Sequence, residues 1–228
     1  MLLRAFERGF DADTTRLLAA YAISLIFAIT LHEFAHAATA VWAGDNTPKV
    51  QGRVSLNPLS HLDPIGSLMI LLVGFGWGRP VMVNPYIFRN VRRDMMLVAG
   101  AGPAMNLLLA LFGAGLLHLA AFAAAGDLIG GHFAATLFLL LVIWVHLNLS
   151  LMLFNLIPVG PLDGVKVVQW FLPAKTAERF YAFSMVYGGM LLIALVLIMS
   201  QFPVVGDVLF WPVNQLLGLL VPRLLSQT

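Results

Sequence analysis

Residues 17–43, LLAAYAISLIFAITLHEFAHAATAVWA, are an apolar run that carries His32, Glu33 and His36 near its middle. A bilayer core about 30 Å thick takes roughly 20 apolar residues in a helix, so this run is long enough to span it. Asp13, Thr14 and Thr15 stand ahead of it as possible N-caps, and Gly44 and Asp45 close it. A charged side chain at the centre of a span costs on the order of 3 kcal/mol, which makes Glu33 a functional residue by default. On a helix, positions i and i+4 lie one above the other, so His32 and His36 point the same way and can hold one cation. Glu33, beside the first histidine, can reach a water on that cation and take its proton. This is the H-E-x-x-H arrangement of zinc hydrolases. On a soluble helix the same residues would read as two ordinary histidines and a surface glutamate. At this depth there is no water-facing surface, and three unpartnered polar groups would cost several kcal/mol in hydrocarbon.

Composition agrees with the span. The chain has 228 residues, 60% hydrophobic and 11% charged, with no cysteine. A soluble domain carries about 25% charged residues, so this chain cannot cover a water-facing surface. The fold class expected is an all-α polytopic membrane protein embedded in a lipid bilayer. The net charge of +2 is spread over short loops, which excludes a nucleic-acid-binding face. Absence of cysteine removes thiolate ligands, so a metal must be held by His, Asp, Glu or Asn.

Working outward from the first span, residues 1–16 read as a short polar or interfacial lead-in. Further spans are expected at about 95–124, 133–157, 180–202 and 207–225, about five in all. Val50, Gly52, Val54 and Leu56 alternate with polar residues and suggest a short strand at the membrane surface, and a second extended piece is expected at 80–86. Residues 64–78 are apolar, too short to cross, and interrupted by Gly74, Gly76 and Gly78, which fits a re-entrant segment able to gate entry. Lys49, Arg53, Arg79, Arg89, Arg92 and Arg93 follow the first span, and Lys166, Lys175 and Arg179 follow the third, whereas the connections at Asp127 and Asp207 hold no Lys or Arg. The positive-inside rule puts the basic loops in the cytoplasm, and five spans then put the N-terminus outside, against which Arg4, Arg8 and Arg16 argue. One membrane-embedded domain over 1–228 is expected, with a catalytic core at about 17–172 and C-terminal helices at about 178–225.

A catalytic zinc takes three protein ligands and keeps one position open. Asp163 lies in NLIPVGPLDG, 155–164, where two prolines break the helix and a glycine lets the chain turn. Broken backbone at membrane depth is tolerated where it is buried in protein or lines a polar cavity, which makes Asp163 the best third ligand. It would otherwise read as the N-cap of residues 164–171. His118 and His146 each stand in an apolar run and read as hydrogen-bonded to neighbouring helices, although Asn148 and Asn155 share one helical face near His146 and could line the same cavity. His61 and His132 read as loop residues.

Together HEFAH inside a span, GRVSLNP at 52–58, WGRPVMVNP at 77–85, GPAMN at 102–106 and NLIPVGPLDG near the end of a later span resemble the site-2 protease family of intramembrane zinc metalloproteases. The likeness covers about residues 20–172, in the family's order. It implies one zinc per chain held by His32, His36 and Asp163, with Glu33 as general base. It implies Asn106 near the reacting carbonyl, for which a small-residue helix contact with Gly102 is the competing reading, and Asn155 as a residue that orients substrate or a ligand. It implies a transmembrane protein as substrate and regulated intramembrane proteolysis as the activity; minimal architecture without a eukaryotic targeting sequence suggests a bacterial or archaeal plasma membrane, and the basic loops put the active site toward the cytoplasm. No stretch is long enough for an inserted PDZ domain or a CBS pair, which marks a minimal member. A membrane metal transporter and a catalytically inactive binding protein of the same fold are the alternatives.

Overall fold

The structure, a computed structural model, describes residues 11–66, 69 and 77–222. Helix α1 runs Ala12–Trp42, α2 is a single turn at Thr47–Val50, α3 runs Val91–Ala125, α4 Gly131–Asn155, α5 Gly164–Phe171, α6 Ala174–Gln201, α7 Pro203–Leu209 and α8 Trp211–Leu220. Helices α1, α3, α4 and α6 are long and apolar enough to cross a membrane, and α7 with α8 forms a pair bent by 55° that reaches a fifth span if counted as one. The chain is a membrane protein.

Caps rather than apolar content set the ends. Asp11 Oδ1 accepts from Thr14 N at 2.7 Å and starts α1, ahead of the expected caps. Asn90 Oδ1 accepts from Arg93 N at 3.0 Å, so α3 begins before the apolar run does. Gly44, at φ +107°, turns the chain out of α1 in a conformation that side chains resist. The span expected at 207–225 is not one straight helix. Pro203 and Pro212 each occupy a first-turn position, where a missing N–H costs nothing, so each opens a separate helix.

The expected strands are absent among the described residues. Residues 47–50 are helical with Pro48 in the first turn, residues 85–87 form a 3-10 turn begun by Pro85, and a lone antiparallel bridge pairs Leu62 with Gly78. The alternation failed because the polar member is the buried one. Arg53 is 8% exposed while Val50 is 87% exposed, and the Arg53 guanidinium donates to Ser60 O and, at 3.0 Å, to Pro80 O. Of the expected re-entrant segment, residues 67, 68 and 70–76 lie outside the described residues.

Helices α1, α3 and α4 pack on one another. Ala28, Ala37, Ala40 and Ala110 are wholly buried, so backbones approach closely, as helices in lipid require. Gly113 opens the gap that takes the indole of Trp144, whose Nε1 donates to Leu109 O at 2.8 Å and pins α4 on α3. Arg92 at the start of α3 donates to Gln169 O, Trp170 O and Leu172 O, which fixes the end of α5. Helix α6 meets the 156–163 loop backbone to backbone: a Cβ on Gly188 would lie 2.6 Å from Gly160 O. Leu108, Phe112, Phe122, Val186, Met190 and Ile193 face outward, as lipid-facing side chains do.

Candidate metal centre

His32 and His36 stand one turn apart on α1, 6% and 7% exposed, and present their Nε2 atoms 3.0 Å apart. Asp163 Oδ2 lies 3.3 Å from the first and 3.2 Å from the second. Asp163 does occupy the N-cap position of α5, yet its side chain makes no capping hydrogen bond. It is turned to the histidines instead, which favours the ligand reading over the cap.

The donor set fits zinc. His36 Nδ1 is 2.6 Å from Val98 O, a carbonyl that only accepts, so Nδ1 carries the hydrogen and Nε2 presents a lone pair. His32 Nδ1 is 2.5 Å from Asn106 Oδ1, with the same result at its Nε2. With both rings neutral, two imidazole lone pairs and a carboxylate oxygen converge with no donor among them, an arrangement that a shared cation satisfies. Ligand atoms about 2.0–2.1 Å from a tetrahedral zinc stand roughly 3.3 Å from one another, close to the separations found here. Backbone makes room for it. A Cβ on Gly102 of α3 would lie 2.6 Å from His32 Nε2 and nearer still to His36 Nε2, so only glycine leaves the space open. Among the described residues, His32, His36 and Asp163 are the group able to hold a metal ion.

Glu33 is half-buried and faces the loop. A Cβ on Gly78 would lie 3.5 Å from Glu33 Oε1 and 3.3 Å from His61 O, so the bridged residues 61–62 and 78 wall the carboxylate. Arg79 N donates to His61 O at 2.7 Å and Arg53 ties Ser60 to Pro80, which holds that wall together. Arg53 was expected as a basic loop residue and as a polar position of a surface strand within GRVSLNP; its buried role depends on contacts that spacing does not reveal.

Asn106 is wholly buried, with Oδ1 on His32 and Nδ2 on Asn148 Oδ1 and Ala28 O. Both of its polar atoms meet protein partners. Asn155 ends α4 and donates Nδ2 to Leu151 O, four residues back. His118 is exposed on α3, His61 is wholly buried, and neither joins the cluster. Asn148, expected to share a cavity-lining face with Asn155, instead meets Asn106 behind His32; the carbonyl of Val98 was not singled out, because a main-chain atom leaves no sequence signal.

No family model matches the chain, and no solved structure does. The chain is 41% identical over 190 residues to "Putative zinc metalloprotease YwhC" of Bacillus subtilis, covering 83% of each protein. It is 32% identical over 157 residues to "Putative zinc metalloprotease Rip2" of Mycobacterium tuberculosis, covering 66% of this chain and 56% of that one. It is 29% identical over 198 residues to the protein of the same name in Mycolicibacterium smegmatis, covering 82% and 72%. A relative so similar along most of both chains, with a glutamate between two histidines whose lone pairs meet an aspartate, makes this chain a member of the zinc metalloprotease family that includes YwhC.

Proposed function

We propose that the chain is an intramembrane protease of the site-2 type, cleaving peptide bonds in or near transmembrane segments of membrane-protein substrates. The observation that carries this reading is the convergence of His32 Nε2, His36 Nε2 and Asp163 Oδ2 on helices apolar enough to lie in lipid. The three residues are the ligands of one zinc. Bound there, zinc supplies a water of pKa about 7 and polarises a peptide carbonyl. Glu33 accepts a proton from the attacking water at its carboxylate and returns it to the amide nitrogen as the C–N bond breaks, leaving a carboxylate and an amine. A substrate helix bonds its carbonyls internally, so it must unwind before a carbonyl reaches Glu33.

The basic loops follow the C-terminal ends of α1 and α4, the end of α4 leading into Asp163 beside the histidines, and the positive-inside rule puts that side in the cytoplasm. The relatives are bacterial, which supports a multi-pass protein of a bacterial plasma membrane. The test is zinc content and cleavage of a model transmembrane substrate by detergent-purified wild type and Glu33→Gln. About one zinc in each, with cleavage at least 100-fold slower in Glu33→Gln, is expected. Equal cleavage by both proteins overturns the role of Glu33, and absence of zinc from wild type overturns the whole reading.

A further inference from the structure

The hydrogen bonds behind His32 run in one direction. Asn148, wholly buried on α4, donates Nδ2 to Trp144 O at 2.9 Å. A main-chain carbonyl only accepts, so the atom that Asn148 turns toward Asn106 is Oδ1. That oxygen also only accepts, so Asn106 must offer its Nδ2, at 2.9 Å, and the same Nδ2 reaches Ala28 O at 3.4 Å. Asn106 is left with Oδ1 for His32 Nδ1. His32 must therefore carry a hydrogen on Nδ1, and the neutral ring then presents a bare Nε2. The polarity begins at one carbonyl on α4, crosses α3 and ends at a nitrogen on α1. Reversing either amide sets donor against donor or acceptor against acceptor where no water can compensate, and each such buried mismatch disfavours the reversed state strongly.

We infer that Asn148, acting through Asn106, is a positioning residue that holds His32 in the tautomer and ring orientation presenting Nε2 to the metal. His36 needs no such relay, because Val98 O, a main-chain atom of α3, does the same work directly. Asn148 is fixed in turn by the packing of α3 on α4, where the Trp144 indole sits over Gly113. The site thus registers the alignment of three helices through a row of neutral amides, and Asn106 supports a metal ligand. This rests on the reading that His32, His36 and Asp163 hold zinc.

The full chain in detergent, titrated with zinc against a chromophoric chelator and then loaded with cobalt for its visible spectrum, tests the relay. Asn148→Leu and Asn106→Leu are each expected to weaken zinc binding about 10- to 100-fold and to alter the cobalt bands. The double variant is expected to bind no worse than Asn106→Leu alone, since Asn148 acts through Asn106. Asn148→Asp is expected to stay within about 3-fold of wild type, because burial keeps a carboxyl neutral and a neutral carboxyl donates and accepts as the amide does. Should a leucine variant fail to fold, Asn148→Ala carries the same expectation as Asn148→Leu. Wild-type affinity and spectrum in a folded Asn148→Leu or Asn148→Ala, losses that multiply in the double variant, or Asn148→Asp as weak as Asn148→Leu would each overturn the inference while wild type still binds zinc. A wild type without zinc would overturn the functional reading and this one with it.

Discussion

Two buried polar centres hang from α1, and they are built on opposite rules. At Asp45, just beyond the helix, both carboxylate oxygens meet donors: Oδ1 takes Thr47 N at 2.9 Å and Oδ2 takes Asn84 N at 2.7 Å. At His32 and His36, inside the helix, acceptors face acceptors, and the third side chain brought to them, Asp163, adds another. A centre whose donors and acceptors balance is complete as folded protein and serves structure. A centre with a surplus of lone pairs is complete only with a cation. That difference separates the functional residues from the merely buried ones, although all are polar and deeply placed.

The comparison breaks most sharply at Asp163. Asp163→Ala should cost more zinc affinity than the roughly 10- to 100-fold typical of an outer-shell change, read by chelator competition. Next in size is Gly102→Ala. Alanine favours helix over glycine, yet its methyl must displace both imidazoles, so zinc affinity should fall about 10-fold or more with no loss of helix content by circular dichroism.

Asp45→Asn should do the reverse, leaving zinc stoichiometry at wild type and lowering stability by about 2 kcal/mol. Burial pushes the Asp45 carboxyl up, but donors on Thr47 and Asn84 outweigh it and hold the pKa below the ordinary 3.8. A depressed folded-state pKa contributes stability above the unfolded value and loses it as pH falls through the folded one. Wild type should therefore weaken below about pH 4 by a step that Asp45→Asn lacks, seen in melting temperature against pH. Smallest is Arg16→Gln, which removes an exposed pair with Asp13 at 3.3 Å and should change stability by less than about 0.5 kcal/mol.

Four spans and the two histidines of the candidate centre were legible because a bilayer punishes polar groups, so LHEFAH inside an apolar run has few structural excuses. Asp163 was legible for a related reason, as an acid in a proline-broken turn. Helix ends were less so, since Asp11 and Asn90 cap through side chains outside the apolar runs. The strand at 50–56 misread the alternation, whose polar residue Arg53 turned inward to bind Ser60 O and Pro80 O. The pairing of Asn106 with Asn148 depends on the register of α3 against α4, set by an indole over a glycine 31 residues away in sequence. No local pattern encodes that register.

The most direct measurement of the central claim is zinc K-edge X-ray absorption on the purified wild-type chain. The account predicts one zinc per chain in a first shell of nitrogen and oxygen, with the outer-shell scattering of two imidazoles. Absence of zinc, or a zinc site without that imidazole signature, would contradict it.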